Sequence, residues 1–459
     1  MKLTIALLFT FLTVISCTSP QNTEKASAEN VPIDTAAWWK NANIYEVNVR
    51  QYTPEGTFAA FRKHLPRLRE LGVDILWFMP VHPISETNRK GTLGSYYAIS
   101  DYRGINPDFG TLVEFKDIIR EAQDMGFKVV MDWVANHTGY DHVWVQEHPD
   151  WYNRDAEGNI LVPADNEGNL TDWTDVADLN YDNPAMRKAM IEDMKFWVRE
   201  AGIDGFRCDV AFFTPDDFWP DVRRKLNAIK PVFMLAESEH GPHRNEGAFH
   251  ATYGWSFFHL LNDIAKGDKN AEDLMQWHAE DKKRFERGFQ MSFITNHDEN
   301  SWNGTVNERM GEAGDAMAVL AFTLTGMPLI YSGQETGLDK RLEFFEKDSI
   351  DWSDTSKSKL YHKLLDLKHR NQALWNGKHG GEFQRLTTDR DQDIFAYIRE
   401  KNGDKVIVIL NLTDDRQKVK LTGADYAGEY NNVFGNMTVM LTEDKILQLN
   451  AWDYLILEK

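Results

Sequence analysis

The chain has 459 residues, more than one average domain, so a large domain with an additional unit is expected. Its net charge of -20 at pH 7 argues against binding to nucleic acid or to anionic lipid surfaces and is compatible with a neutral substrate. Hydrophobic residues make up 42% of the chain, and 15 Trp and 15 Tyr leave aromatic side chains for a ligand cleft.

The N-terminus is predicted to be a bacterial lipoprotein signal over residues 1–17. Lys2 provides a short positive region, and the apolar run in residues 3–15 is too short for a stable membrane span. Cys17 follows this run and would become the lipid-modified first residue of the mature protein, whereas an ordinary secretory signal with a chance cysteine is the alternative. Residues 18–37 are predicted to be a flexible tether. We therefore expect a protein outside the cytoplasm, periplasmic or on the cell surface, that Cys17 anchors to a membrane.

Amphipathic helices, glycine stops and apolar strands alternate along the chain from residue 38 to residue 374. Apolar positions in residues 58–68 have helical spacing, with a kink or a new start expected at Pro66, and Gly72 ends this pattern. Buried strands are predicted at residues 44–49, 73–79, 128–133, 203–209, 232–237, 252–257, 290–295 and 328–332. Apolar strands without polar alternation are typical of a parallel sheet, so we predict an α/β fold, the (β/α)₈ or TIM barrel.

Two further units are predicted around this barrel, which itself comprises residues 38–138 and 182–374. Residues 139–181 follow the third strand, are rich in Asp, Asn, Gly and Trp, and are expected to form an inserted B domain over the barrel mouth. Short strands at residues 394–399, 405–412, 417–421 and 446–449 predict a C-terminal all-β sandwich domain over residues 375–459.

Four short segments place acidic residues and histidines at the ends of predicted strands. They are DWVANHT (132–138), GFRCD (205–209), LAE (235–237) and TNHD (295–298). The carboxyl ends of barrel strands meet on one face, where active sites are built. The carboxylates Asp209, Glu237 and Asp298 suit the cleavage of a glycosidic bond, which needs a group that attacks the sugar and an acid that protonates the leaving oxygen. A third carboxylate can stabilise the charge that develops.

Together and in this order, the motifs resemble those of the α-amylase family of glycoside hydrolases. Weaker matches are DLN (178–180), GMPLIYSGQE (326–335) and LGSYYAISDY (93–102). The resemblance implies that Asp209 is the nucleophile, that Glu237 is the general acid/base and that Asp298 stabilises the transition state.

The resemblance also implies a set of groups that bind the sugar. Tyr97 would stack beneath the ring beside the scissile bond, and Asp101 would support the loop of Tyr97. His137 and His297 would donate hydrogen bonds to sugar hydroxyls, and Asp132 would support the site.

Arg207 lies two residues before Asp209, on the same face of its strand, and we include it in the binding site. A cation there would keep Asp209 ionised, and nearby carboxylates would raise the pKa of Glu237, as an acid catalyst needs. Glu239, on the same strand face but past the strand end, is a rival for the role of the acid. Five tryptophans could stack on sugars or pack in the interior: Trp133, Trp151, Trp173, Trp255 and Trp302.

One segment departs from the family pattern. After GFRCD, Phe212 and Phe213 stand where typical α-amylases carry a Lys-His pair that binds sugar and helps to hold calcium. Asn136 matches a calcium ligand of the family, and acidic residues of the insertion could complete a site: Asp165, Asp172, Asp175 and Asp178. We therefore expect that no cofactor is required, while a structural calcium ion remains an option.

The predicted activity is hydrolysis of α-glucosidic bonds, mainly α-1,4, in starch, maltodextrin or related α-glucans, with retention and through a covalent intermediate. A neopullulanase, a cyclomaltodextrinase or a glucanotransferase would share this intermediate and differ in the acceptor or the link. A non-catalytic glycan-binding lipoprotein is the alternative from another class, and it should lack at least one of the three carboxylates. Linkage preference, endo or exo action and oligomeric state stay open.

Overall fold

A computed structural model describes residues 37–165, 167–423, 425–435 and 437–459 of the chain. The predicted signal, Cys17 and the predicted tether up to residue 36 lie outside these residues. No helix in the described ranges has both the length and the apolar character that crossing a bilayer requires.

A closed barrel of eight parallel strands forms the centre of the described residues. The first ten strands in chain order are β1 (Ile44–Val47), β2 (Ile75–Phe78), β3 (Lys128–Val134), β4 (His137–Gly139), β5 (Val176–Asp178), β6 (Gly205–Asp209), β7 (Phe233–Ala236), β8 (Ala251–Tyr253), β9 (Phe289–Ser292) and β10 (Met327–Tyr331). The barrel order is β1-β2-β3-β6-β7-β8-β9-β10, and β10 pairs with β1 in parallel to close it. The prediction of a TIM barrel is confirmed.

Helices follow the barrel strands and cover their outer faces. The helices in chain order are α1 (Val49–Tyr52), α2 (Phe58–Arg62), α3 (Leu65–Leu71), α4 (Leu112–Asp124), α5 (Val143–Glu147), α6 (Pro184–Phe196), α7 (Phe218–Asn227), α8 (Gly241–Asn245), α9 (Trp255–Ala265), α10 (Ala271–Arg284), α11 (Val306–Met310), α12 (Gly314–Thr323) and α13 (Ser358–Arg370), of which α5 belongs to the insertion. Pro66 lies in the first turn of α3, so the apolar pattern of residues 58–68 forms two helices. The predicted strand at 252–257 is wrong beyond Tyr253, because Trp255 begins α9, whose apolar side chains are buried at helical spacing.

The insertion is joined to the barrel mouth by a short antiparallel pair. Strand β4 directly follows the motif at the end of β3, and it pairs with β5 so that His137 lies opposite Asp178. The backbone N–H of Gly139 donates to the carbonyl of Ile99, 2.7 Å away, which links the insertion to the loop after β2. The insertion therefore lies over the C-terminal ends of the barrel strands, as expected from the sequence.

The C-terminal region contains eight strands among the described residues. They are β11 (Glu382–Leu386), β12 (Ile394–Lys401), β13 (Asp404–Asn411), β14 (Gln417–Lys420), β15 (Gly428–Asn432), β16 (Thr438–Leu441), β17 (Ile446–Leu449) and β18 (Tyr454–Glu458). Six of them form one antiparallel sheet, and β14 pairs with β17 in a second layer. Side chains of β12 alternate between the two faces: Phe395 and Tyr397 join the large apolar cluster of the barrel, and Ile394 and Ala396 join the cluster beneath the second layer.

Candidate active site

The carboxyl ends of the barrel strands bring the predicted acidic residues to one cavity of about 590 Å³. Asp209 is the last residue of β6, Glu237 directly follows β7, and Asp298 lies in the loop after β9. All three line the cavity, together with Tyr97 and with both predicted histidines, His137 and His297. The structure therefore brings together six of the eight residues predicted for catalysis or for sugar binding.

Arg207 lies beneath this cavity and contacts three carboxylates. Its Nη1 is 2.9 Å from Oδ1 of Asp209 and 3.0 Å from Oδ1 of Asp132, and its Nη2 is 2.9 Å from Oε1 of Glu237. Its Nε donates to the hydroxyl of Tyr253 at 3.1 Å. Arg207 is fully buried and does not line the cavity, so its contacts position the carboxylates, while its predicted part in sugar binding stays a prediction.

The pKa of Asp209 shifts in the direction opposite to that expected from the sequence, whereas the pKa of Glu237 rises as expected. Burial and the nearby Glu237 raise the pKa of Asp209 well above its usual range, even though Arg207 acts to lower it. Burial also raises the pKa of Glu237, again against the effect of Arg207. Burial and Glu237 therefore outweigh the lowering effect of Arg207 on the pKa of Asp209. The two carboxyl groups form a coupled pair that can hold one proton, and this is the state that one nucleophile and one acid require.

Val210 contacts Glu237 in a way that the sequence did not reveal. Its backbone N–H donates to Oε2 of Glu237 at 2.8 Å. To do so it adopts a left-handed conformation with φ of 34°, which is unfavourable for a β-branched residue. Such strain concentrates at functional sites, and here it directs a hydrogen bond onto the acid.

A hydrogen-bonded chain runs from the cavity wall into the barrel through His297. The hydroxyl of Tyr97 is 2.7 Å from Nε2 of His297 and 3.2 Å from Oδ2 of Asp132. The other ring nitrogen, Nδ1, is 2.5 Å from Oε1 of Glu46, which is fully buried in β1. Burial would lower the pKa of His297, but the carboxylates of Asp298 and Glu46 outweigh this effect and raise it to about 9.

Glu46 was missed at the sequence level, although the sequence contains a signal for it. It is the one charged residue in the apolar strand β1, and an ionisable side chain in a strand buried on both faces needs a partner. The charge of Glu46 is matched by His297, which we predicted only as a sugar ligand.

The structure places His137 in the cavity wall and Asp101 outside it. His137 lines the cavity, and burial lowers its pKa to about 3, so its ring is neutral. Asp101 is exposed, lies outside the cavity wall, and accepts a hydrogen bond from the N–H of Arg103 at 2.8 Å. Its side chain therefore does not line the cavity, and its predicted support of the loop of Tyr97 stays a prediction.

Residues 23–388 match the family model described as α-amylase catalytic domain, and residues 394–456 match the α-amylase SusG C-terminal domain. The chain belongs to the α-amylase family. It is 27% identical over 446 residues to alpha-amylase 3 of Dictyoglomus thermophilum, an alignment that covers 82% of this chain and 85% of that protein. The sequence-based resemblance is therefore confirmed.

Two solved structures of the family share the whole architecture. A maltogenic α-amylase from Thermotoga neapolitana is 28% identical with a TM-score of 0.81, covering 91% of this chain and 98% of that one. An α-amylase from Lactobacillus plantarum is 30% identical with a TM-score of 0.80, covering 91% and 99%. The protein is a glycoside hydrolase of the α-amylase type, and this family acts on α-glucans.

A second cavity of about 680 Å³ adjoins the first and contains the rival acid Glu239. Oε1 of Glu239 accepts a hydrogen bond from Oγ of Ser256 at 2.9 Å, and Arg284 forms an ion pair with it at 3.3 Å. Glu239 therefore has partners of its own and does not line the cavity that holds Asp209.

The candidate tryptophans divide between the cavities and the interior. Trp173 and Trp302 line the first cavity, and Trp255 lines the second beside Phe212 and Phe213. Trp133 and Trp151 are buried and pack in the interior.

Two of the acidic residues considered as calcium ligands have partners within the protein. Asp175 forms an ion pair with Lys90 at 3.3 Å, and Asp178 accepts a hydrogen bond from the amide of Asn153. Burial raises the pKa of Asp178 to about 6. In the parts of the chain that are described, no three His, Cys, Asp or Glu side chains are grouped closely enough to hold a metal ion. Asn136 instead places its amide nitrogen 3.3 Å from Nδ1 of His137.

Proposed function

We propose that the protein is a retaining glycosidase that cleaves α-glucosidic bonds, mainly α-1,4, in starch, maltodextrin or related α-glucans. The observation that supports this most is the contact of Asp209 and Glu237 with two nitrogens of one guanidinium. This arrangement makes the carboxylates close neighbours, as a nucleophile and an acid acting on one bond must be. A pair separated by a water molecule would support inversion instead.

In the first step, Glu237 gives its proton to the glycosidic oxygen while a carboxylate oxygen of Asp209 attacks the anomeric carbon. The bond to the leaving sugar breaks and an ester between the glycosyl unit and Asp209 forms. Glu237, now ionised, then removes a proton from water, which attacks the same carbon and releases Asp209. Two inversions restore the α configuration.

The surrounding residues act on the charge that develops in this reaction. Asp298 lines the cavity beside the sugar site and can stabilise the positive charge on the ring through its hydroxyls. Tyr97 provides an aromatic face and is held by its hydrogen bonds to His297 and Asp132. The buried partners reduce the freedom of these groups before substrate arrives.

Proton NMR of the product that forms first tests the mechanism. With a short α-1,4-linked oligosaccharide as substrate, we expect the α-anomer to appear before mutarotation. The β-anomer appearing first would contradict the nucleophile assignment.

A comparison of amylose, pullulan, cyclodextrin, trehalose and sucrose tests the linkage, and we expect the α-1,4-linked glucans to be cleaved with the highest kcat/KM.

Transglycosylation is a second candidate that a specific observation favours. The second cavity follows Glu237 on the side of the leaving group and has an aromatic wall of Phe212, Phe213 and Trp255. Aromatic faces bind sugar rings, so this wall favours a sugar over water as the acceptor. Chromatography at high substrate concentration should then show products longer than the substrate.

Two finer points also belong to the proposal. The relative from Thermotoga neapolitana is described as a maltogenic α-amylase, which makes maltose a candidate product here.

We further propose that the protein resides outside the cytoplasm on a membrane, because Cys17 follows a short apolar segment in the pattern of a lipoprotein signal.

A further inference from the structure

We propose that one end of the first cavity is closed by a wall around Lys90, so that the enzyme removes short units from the non-reducing ends of α-glucans. This inference rests on the proposed function and adds to it the direction of attack. We call the wall, composed of residues 90–94, 172–175 and 344–346, the end wall.

The position of Glu237 determines which end of the cavity is which. A general acid must face the oxygen of the leaving group. The residues after Glu237, Ser238 to His240, line the second cavity, so the leaving group lies on that side. Lys90, Asp172 and Phe345 line the first cavity and not the second, so we infer that they face the non-reducing side of the substrate.

Lys90 joins the loop after β2 to the insertion at this end. Its ammonium group is 3.3 Å from Oδ1 of Asp175 and donates to the carbonyl of Asp172 at 3.0 Å. The carboxylate of Asp175 is largely buried, with 7% of its side chain exposed, so water screens this ion pair less than a pair on the open surface. The two segments are thus connected across the cavity end.

The same loop is joined on its other side to the segment between β10 and α13. The N–H of Leu93 donates to the carbonyl of Phe345 at 3.0 Å, and the N–H of Thr92 donates to Oε1 of Glu346 at 2.8 Å. Three segments from different parts of the barrel therefore lie side by side in the end wall.

A buried arginine supports the end wall from below. Nη1 of Arg50 donates to the carbonyl of Gly94 at 2.9 Å and to the carbonyl of Phe344 at 3.1 Å. Arg50 is 4% exposed and stacks on the ring of Tyr96, 3.9 Å from its centroid. A guanidinium fixed in this way holds both backbone segments in place, because moving either one would leave a buried donor unpaired.

The closed end limits what the cavity can hold. Its volume of about 590 Å³ lies in the range of pockets that enclose small ligands, roughly 300–1,000 Å³. A glucan strand that continued past the sugar site would have to pass through the end wall. Chain ends can enter, whereas internal bonds of a long strand cannot reach Asp209.

Two maltoheptaosides with the same chromogenic aglycone test this inference, one with a free non-reducing end and one with a cyclic acetal across O4 and O6 of that end. We expect the free substrate to be cleaved faster by on the order of 100-fold, the discrimination a packed pocket can exert on added groups. Chromatography of the free substrate should show one short product from the earliest times. Equal rates on both substrates, with a ladder of products, would overturn the inference and leave the proposed hydrolysis intact. Cleavage of neither would overturn the proposed function itself.

A variant of the end wall tests the part of Lys90. We expect Lys90→Ala to raise the rate on the blocked substrate relative to the free one by about tenfold or more, because it opens the end wall. Asp175→Asn should act in the same direction. The matched control is Lys116→Ala, since Lys116 pairs with Glu200 at 3.6 Å on the outer helix α4. The ratio in the control should equal that of the parent, with melting temperatures confirming the fold of each variant. An unchanged ratio in both end-wall variants would overturn the role of Lys90.

Discussion

At the scale of single residues, Arg207 determines the geometry of the active site. One guanidinium contacts Asp132, Asp209 and Glu237, so three carboxyl groups share a single cation in a buried environment. Burial and mutual repulsion then favour the retention of a proton among them. In the proposed mechanism, this is the proton that the leaving group needs.

Neutral substitutions of Asp209 and Glu237 test their assigned roles. We expect Asp209→Asn to lower kcat/KM by on the order of 10³-fold or more, because it removes the nucleophile. Glu237→Gln should lower it by roughly 10²- to 10⁴-fold, the contribution of a general acid. Asp221→Asn is the matched control and should retain the activity of the parent, since Asp221 lies on the outer helix α7, where it pairs with Lys225 at 2.8 Å. Activity within tenfold of the parent in either active-site variant would refute the assignment.

The pair of Glu46 and His297 predicts a pH dependence of stability. The pKa of His297 is raised from 6.5 to about 9 in the folded protein. A raised folded-state pKa gives stability that is complete below pH 6.5 and is lost as the pH rises through about 9. At roughly 1.4 kcal/mol per unit, this contribution is about 3 kcal/mol. Glu46→Gln removes one of the two carboxylates, so its free energy of unfolding should decline less over this range than that of the parent.

Urea unfolding at a series of pH values measures this difference. Glu335→Gln serves as the control, because Glu335 is equally buried but contacts Tyr45 and Arg67 instead of a histidine. It should lower stability while keeping the pH dependence of the parent. Equal slopes for the parent and for Glu46→Gln would show that Glu46 does not sustain the charge of His297.

At the scale of elements, β12 connects the C-terminal sheet to the barrel. The guanidinium of Arg399 on this strand is buried and donates to the carbonyls of Thr323, Trp375 and Gly381 at 3.1–3.2 Å. The hydroxyl of Tyr397 on the same strand lies 2.6 Å from Oγ1 of Thr323. The two domains therefore share polar contacts as well as an apolar cluster.

Removal of the Arg399 side chain should destabilise the whole protein. We expect Arg399→Ala to lower the free energy of unfolding by roughly 3 kcal/mol or more, since three buried carbonyls lose their donor. Arg416→Ala is the control, because Arg416 is exposed and contacts Gln448 on the surface, and it should change stability by less than about 0.5 kcal/mol. If denaturant melts gave both variants the same stability, the domain contact would not depend on Arg399.

A calcium requirement would depend on the acidic side chains of the insertion. Since Asp175 and Asp178 have partners within the protein, we expect dialysis against a strong chelator to leave melting temperature and turnover unchanged. A mock dialysis without chelator is the control. A fall in both quantities that added calcium reverses would show that the insertion does bind the ion.

At the scale of the whole molecule, the position of the enzyme in the cell depends on a segment outside the described residues. We expect the parent to fractionate with membranes and Cys17→Ser to lose this association, because the thiol is the proposed site of lipid attachment. Cys208→Ala is the control, since Cys208 is buried in the barrel and should not affect fractionation. A membrane-bound Cys17→Ser protein would contradict the proposed anchor.

The pattern of apolar and acidic residues along the chain was enough to predict the barrel and the carboxylates that meet at its mouth. Strands buried on both faces must be apolar, so residues 128–133 and 203–209 were predicted within two residues of β3 and β6. Asp209 and Glu237 were placed together because the carboxyl ends of parallel strands meet on one face. Strands β11, β15, β16 and β18 were missed. Of these, β11 and β16 are edge strands with largely exposed side chains, and such strands lack a strong apolar pattern.

Only the tertiary structure decided which side chains contact one another. Glu46 and His297 are 251 positions apart, and closure of the barrel through β1 and β10 brings them together. Lys90 likewise contacts the carbonyl of Asp172, 82 positions away in the insertion, because the fold brings these two segments together. Local sequence determines the pattern of burial and the ends of each strand. The partners of a buried charge depend on how distant strands and loops are placed by the closed sheet.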